Sequence, residues 1–127
     1  MNDRKRIVMG KVGLDSHDVG VRYVSRKLME NGFEVIFVQF YEPKELINIV
    51  IQEDADIVGV SFMTGSHMRL VEGIIEEMKR HHVDLPLIVG GIIPVQDHEV
   101  LKSMGVRQVF AAGSAVDEIV EAFQRAA

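Results

Sequence analysis

The chain has 127 residues, of which 47% are hydrophobic and 26% are charged, and its formal net charge is −5. This composition predicts one globular domain over residues 1–127, and the acidic balance excludes the basic footprint of a nucleic-acid-binding protein. No apolar run approaches the ~20 residues of a membrane span, and the lack of cysteine excludes disulfides and zinc–thiolate sites. We therefore expect a cytoplasmic protein without membrane or nucleic-acid partners.

Short apolar runs alternate with segments of helical spacing along the chain. The predicted strands are Ile7–Met9, Val35–Phe40, Ile57–Phe62, Leu87–Val89 and Val106–Phe110. Between them lie five predicted helices. The second buries Leu46, Ile47, Val50 and Ile51, and the last buries Ile119, Val120 and Phe123. The others carry apolar residues at helical spacing: Val21, Val24 and Leu28; Leu70, Val71, Ile74, Ile75 and Met78; and Val100, Leu101 and Met104. Gly32 and Gly105 mark helix ends and Pro43 a helix start. A last helix is predicted to begin at Ser114, with Asp117 as its capping-box partner.

Five strand–helix units in a row predict an α/β fold with helices on both faces of a parallel sheet. For a doubly wound, five-stranded sheet of the flavodoxin-like kind, the common strand order is 2-1-3-4-5. Such sheets bind ligands at the carboxyl edge, in the crevice between strands one and three.

The segment from Lys11 to Gly20 follows the first strand and therefore reaches this crevice. Asp15 and His17 flank a single residue, so a carboxylate can hold one imidazole nitrogen and leave the other free for a metal. A carboxylate–histidine–metal relay needs this arrangement, because the acid fixes the tautomer and strengthens the ligand. Lys11 is close enough to extend the relay.

Small residues gather at the same edge of the predicted sheet. Gly59 and Ser61 point to one face of the third strand, and Gly90-Gly91 ends the fourth. Ala111–Ser114 follows the fifth strand. Each glycine alone also fits a tight turn or close helix packing. As a group they predict a slot that admits something long and flat.

These features resemble the cobalamin-binding domain family in three motif pieces: Asp15-x-His17-x-x-Gly20, Ser61, and Gly90-Gly91. The sequences of Lys11–Asp18 and of Gly90–Asp97 are similar to those of the methylmalonyl-CoA mutase branch of this family. The resemblance covers nearly the whole chain and implies a Rossmann-like cobalamin-binding fold.

The resemblance implies a role for each matching residue. His17 would be the lower axial ligand of cobalt, in place of the benzimidazole tail of the cofactor. Asp15 would accept the other ring N–H of His17, and Lys11 would pair with Asp15. The implied cofactor-binding set is Asp15, Ser16, His17, Asp18, Val19, Gly20, Gly59, Ser61, Met63, Thr64, Gly90, Gly91, Gly113 and Ser114.

The same resemblance implies the cofactor-binding small subunit of an adenosylcobalamin-dependent acyl-CoA mutase. Such an enzyme rearranges the carbon skeleton of a substrate such as methylmalonyl-CoA or 2-hydroxyisobutyryl-CoA by radical chemistry. A large TIM-barrel subunit would bind the acyl-CoA, and this chain would be inactive without it. Met63, Thr64 and Ile92 are the candidate contacts in this hetero-oligomer.

Several alternatives stay open. A corrinoid methyl carrier has the same histidine motif but usually an added N-terminal helical bundle, whereas six residues precede the first predicted strand here. The small subunit of glutamate mutase is another candidate. A receiver-like signalling domain would need an acceptor aspartate where this chain has Ser61-Phe62-Met63. His67 either lies beside the corrin or is simply an N-terminal residue of the third helix.

Overall fold

The computed structural model describes residues 4–13, 19–62 and 65–127, with the backbone alone for Val19. The elements in chain order are β1 (Arg6–Val12), α1 (Val19–Glu30), β2 (Glu34–Phe40), α2 (Pro43–Gln52), β3 (Ile57–Phe62), α3 (His67–Arg80), β4 (Leu87–Gly91), α4 (His98–Met104), β5 (Gln108–Ala111) and α5 (Val116–Ala126). A 3₁₀ turn, Val95–Asp97, precedes α4. Among the described residues, no helix has the length and apolar character needed to cross a bilayer.

All strand pairs are parallel, and the strand order is β2-β1-β3-β4-β5. The predicted fold class is therefore confirmed. In this order the chain reverses direction across the sheet between β1 and β3, so the segments that follow these two strands flank the same crevice.

Two apolar layers cover the sheet. On one face, strand residues such as Val8, Val58 and Val60 pack with α2, α3 and α4. On the other face, Ile7, Met9, Ile57 and Ile88 pack with side chains of α1 and α5. Because successive strand residues alternate between faces, Lys11 and Ser61 belong to the α1/α5 face.

Two strands extend beyond their apolar runs toward the carboxyl edge, and in β4 this extension is the predicted Gly90-Gly91 end. β1 continues through Val12, because Gly10 and Lys11 keep their pairing with both neighbouring strands. β4 includes Gly90 and Gly91, which pair with β3 and β5. Neither extension follows from hydrophobicity, since partner strands supply the hydrogen bonds.

The predicted start of the last helix at Ser114 is wrong. The Ser114 hydroxyl donates to the carbonyl oxygen of Ala111 at 2.7 Å, which closes a turn ahead of the helix. The helix begins at Val116, and its N-cap residue, Ala115, provides no side-chain hydrogen bond. The predicted capping box with Asp117 therefore does not form.

The predicted burial of Ile51 is also wrong, since 47% of this residue is exposed. Leu46, Ile47 and Val50 already form the buried face of α2. Ile51, in the last turn, lies at the solvent side of that face. The start of this helix at Pro43 and the ends of α1 and α4 before Gly32 and Gly105 are as predicted.

Candidate binding slot at the carboxyl edge of the sheet

A cavity of about 410 Å³ opens at the carboxyl edge, between the sheet and the two helices α1 and α5. Six of the fourteen predicted cofactor-binding residues line it: Gly20, Ser61, Gly90, Gly91, Gly113 and Ser114. We call this cavity the slot. Its size falls within the ~300–1,000 Å³ that is typical of small-molecule sites.

Small residues at the strand ends create the opening. A Cβ added to Gly90 would meet the nearest atoms, the Cβ and carbonyl oxygen of Phe110, at 3.5 Å, which is ordinary contact. Gly113 has a φ of +84° and no heavy atom near the place of a Cβ. These glycines leave open space between the sheet edge and the helices α1 and α5, beside the ring of Phe110, which also lines the slot.

Gly59 lies below the slot and does not line it. A Cβ at Gly59 would lie 2.9 Å from Sδ of Met9 and 3.1 Å from Cζ of Phe123. These two side chains line the slot and close its floor above Gly59. The glycine thus allows the floor to pack, and the open space along this face begins at Ser61.

Apolar helix faces form the remaining walls, and sequence reasoning did not assign them to the site. Tyr23 and Val24 of α1, and Val116 and Ile119 of α5, line the slot. Their helical spacing predicts burial against the sheet, and that pattern looks the same whether a helix packs tightly or borders a cavity. No sequence signal separates the two cases.

Lys11 is buried on the α1/α5 face near the end of β1, with 5% of the residue exposed. No described residue forms a hydrogen bond or ion pair with its ammonium group. Because most of the Lys11 side chain is out of water, a carboxylate close to the end of β1 would stabilise the charge of its ammonium group. The sequence offers Asp15 for that role.

The other predicted relay residues lie outside the described part of the chain. The predicted site residues outside the described part are Asp15, Ser16, His17, Asp18, Met63 and Thr64, together with the side chain of Val19. On either side of residues 14–18, the N–H of Gly13 donates to the Phe40 carbonyl oxygen at 2.8 Å, and Gly20 lines the slot. Among the described side chains, no group of three or more His, Cys, Asp or Glu could hold a metal ion.

A family model described as the B12 binding domain matches residues 5–121. The chain belongs to the B12-binding domain family. This match decides against a receiver-like signalling domain, which shares the strand order but not the family.

Two relatives of this B12-binding domain are themselves small subunits. The 2-hydroxyisobutanoyl-CoA mutase small subunit of Aquincola tertiaricarbonis is 35% identical over 121 residues, which cover 94% of this chain and 89% of the relative. The pivalyl-CoA mutase small subunit of Xanthobacter autotrophicus is 33% identical, over 91% of this chain and 79% of the relative.

A third relative is much longer. Ethylmalonyl-CoA mutase of Cereibacter sphaeroides is 37% identical over 106 residues, and these cover 83% of this chain but 16% of that protein. Among solved structures, a cobalamin-binding protein from Desulfitobacterium hafniense superposes with a TM-score of 0.82 at 23% identity. The alignment covers 98% of this chain and 60% of that one, and it supports the fold alone.

The residues that line the slot fit the aromatic base and the ribose phosphate of a cobalamin nucleotide tail. A flat aromatic base needs apolar walls and a narrow opening, which α1, α5 and the glycine-rich strand ends provide. A ribose phosphate needs close approach to backbone, which Gly90, Gly91 and Gly113 permit. The Lys11 ammonium, to which no other described residue bonds, is available to hold a carboxylate at this edge.

Proposed function

We propose that this B12-binding domain is the cofactor-binding small subunit of an adenosylcobalamin-dependent acyl-CoA mutase. The single observation that carries the proposal is the slot at the carboxyl edge, in a chain that aligns with 89% of a mutase small subunit. We further propose that residues 1–127 act as one cobalamin-binding domain.

The slot residues bind and orient the cofactor tail. The apolar walls from α1 and α5 would hold the base, Ser61 would border it at the inner end of the open space, and the Gly113–Ser114 turn would hold the nucleotide. Burial of an aromatic base against these apolar side chains favours the displaced tail over the tail bound to cobalt, at about 25 cal/mol per Å² of apolar area removed from water.

The relay residues would hold the cobalt of the cofactor. His17 would coordinate the metal through one ring nitrogen and donate the other ring N–H to Asp15, while the Lys11 ammonium would hold the carboxylate of Asp15. This chain would fix the tautomer and orientation of the histidine ligand. Mutation of a residue that hydrogen-bonds a metal ligand commonly lowers metal affinity by about 10–100-fold. When bound, adenosylcobalamin supplies the radical that starts the rearrangement.

The substrate is bound by a separate large subunit of the TIM-barrel kind. Two observations support this division: two relatives are named small subunits, and the matched region is 16% of a longer mutase. We expect the substrate to be a branched or hydroxylated acyl-CoA, as in the names of those two small subunits. Met63, Thr64 and Ile92 remain the candidate contacts, and the cytoplasmic location remains a prediction.

The experiment is a cobalamin-retention assay followed by electron paramagnetic resonance (EPR). The chain is incubated with hydroxocobalamin, desalted, and reduced to Co(II), once with ordinary histidine and once with histidine labelled with nitrogen-15. We expect retained corrinoid whose nitrogen hyperfine splitting changes from a triplet to a doublet on labelling. His17→Ala should lose this response, and His81→Ala, at the far end of α3, should keep it.

Three outcomes would redirect the proposal. If corrinoid is retained but its nitrogen hyperfine splitting is the same with and without labelled histidine, the cofactor keeps its own base on cobalt. Retention with histidine ligation, but turnover only with a methyltransferase partner, would favour the methyl carrier over a mutase subunit. An active complex with a glutamate-specific large subunit would favour the glutamate mutase alternative.

A further inference from the structure

His67 and Asp97 form a hydrogen-bonded pair on two separate connections of the carboxyl edge. His67 is the first residue of α3 and is 5% exposed, and its Nε2 lies 2.8 Å from Oδ2 of Asp97, the last residue of the 3₁₀ turn. Nδ1 of His67 is buried, and no described group bonds to it. The ring therefore donates from Nε2 and keeps a lone pair on Nδ1, because a second ring N–H would be buried without an acceptor.

The pair anchors the segment that connects β4 to α4, which we call the rim segment (residues 91–97). At its start, the N–H of Ile92 donates to the carbonyl oxygen of Phe62 at 2.8 Å. In its middle, Ile93 is buried in the core, and its carbonyl oxygen accepts from Nε2 of His98 at 3.2 Å. At its end, Asp97 is held by His67.

The rim segment also forms part of the slot. The side chain of Ile92 lines the slot, although 54% of the residue is exposed to solvent. α3, which carries His67, belongs to the helix layer on the other face of the sheet. Within the described part of the chain, His67 is therefore connected to the slot through its bond to Asp97 of the rim segment.

We propose that His67 is a positioning residue for the slot: through Asp97 it holds the rim segment against the end of β3 and slows the release of the cobalamin tail. This inference rests on the proposed function. The charge of Asp97 makes the bond a strong one, since hydrogen bonds to ionised acceptors exceed neutral ones.

The test separates positioning from simple structural support by using variants that keep or lose the bond. Asp97→Ala and His67→Leu remove it, whereas Asp97→Asn and His67→Gln retain an acceptor or a donor in nearly the same place. Glu34→Ala is the matched control, because it breaks a half-buried ion pair with Arg6 (3.2 Å) at the opposite end of the sheet.

Two quantities are measured for each variant: amide hydrogen exchange of the rim segment in the cofactor-free chain, and the rate at which bound hydroxocobalamin is released into a cobalamin-free chase. We expect both to rise about tenfold in the two bond-removing variants. Both should rise less in the two conservative variants, which keep a neutral bond, and should stay near the parent value in Glu34→Ala.

The outcomes are distinguishable. An unchanged release rate in Asp97→Ala and His67→Leu, with melting temperatures lowered as in Glu34→Ala, overturns the inference and leaves the pair a structural anchor. A parent chain that retains no cobalamin overturns the proposed function instead. In that case the exchange measurement still decides whether the pair positions the rim segment.

Discussion

Gly91 lies so close to the backbone of Phe62 that no side chain fits between them. A Cβ on Gly91 would come within 2.9 Å of both the amide nitrogen and the carbonyl carbon of Phe62, and closer still to its carbonyl oxygen. Gly91 also has a φ of +112°, which disfavours residues with a Cβ. The next residue donates its N–H to the same carbonyl oxygen. The ends of β3 and β4 are thereby joined at the edge of the slot.

Gly91→Ala should lower the free energy of unfolding by about 3 kcal/mol, because backbone strain and a clash with fixed backbone add. Gly113→Ala is the matched control: its φ is also positive, at +84°, but the space for a Cβ is open. The control should lose only about 1 kcal/mol. Urea unfolding monitored by circular dichroism measures both, and equal losses would mean that the clash relaxes.

Ser61→Trp should block the slot. The indole ring would occupy the space beside Gly90 that we assign to the cofactor tail, so cobalamin affinity should fall at least about tenfold. Ile51→Trp, on an exposed turn of α2, is the control for adding a tryptophan. Binding is followed by visible absorbance titration, and folding by thermal melting. A folded Ser61→Trp chain that binds as tightly as the parent would move the tail site elsewhere.

Lys11→Met should weaken cobalamin binding without lowering the stability of the chain. Methionine fills a similar volume without a buried charge, so the free energy of unfolding of the cofactor-free chain should stay unchanged or rise by about 1 kcal/mol. Cobalamin affinity should fall about tenfold, because the proposed relay loses its cation. Lys102→Met, on the exposed side of α4, is the control. A clear loss of stability would instead reveal a structural partner for the ammonium group.

Glu45→Gln should make the start of α2 less sensitive to pH. The backbone N–H of Glu42 donates to the Glu45 carboxylate at 2.7 Å and that of Tyr41 at 3.0 Å, and these bonds lower the pKa of Glu45. A lowered pKa in the folded state contributes stability above the unfolded pKa, which disappears as the pH falls through the folded pKa.

We therefore expect the parent to be more stable than Glu45→Gln at neutral pH, and this difference to vanish below the ordinary glutamate value of about 4.3. Urea unfolding at both pH values measures it, with the exposed Glu121→Gln as the control for losing a surface carboxylate. A difference of the same size at both pH values would contradict an ionic contribution from this cap.

Much of the fold could be predicted because its signals are local. The strand Ile57–Phe62 has the predicted bounds, and Pro43 opens α2, since apolar runs and proline geometry act within a few residues. The start of α5 could not be predicted in this way. The hydroxyl of Ser114 can cap a helix or close a turn, and its bond to Ala111 depends on where β5 ends.

In the candidate site, too, some features could be predicted from the sequence and others depend on tertiary packing. The sequence by itself determined the family resemblance, the strand order, and the edge where Ser61, Gly90 and Gly113 meet, because parallel strands bring their carboxyl ends to one side. Only the tertiary structure decided that Met9 and Phe123 fill the space above Gly59, that helix faces line the slot, and that His67 binds Asp97. These are contacts between side chains distant in sequence, and their outcome depends on how whole elements pack, which no local pattern encodes.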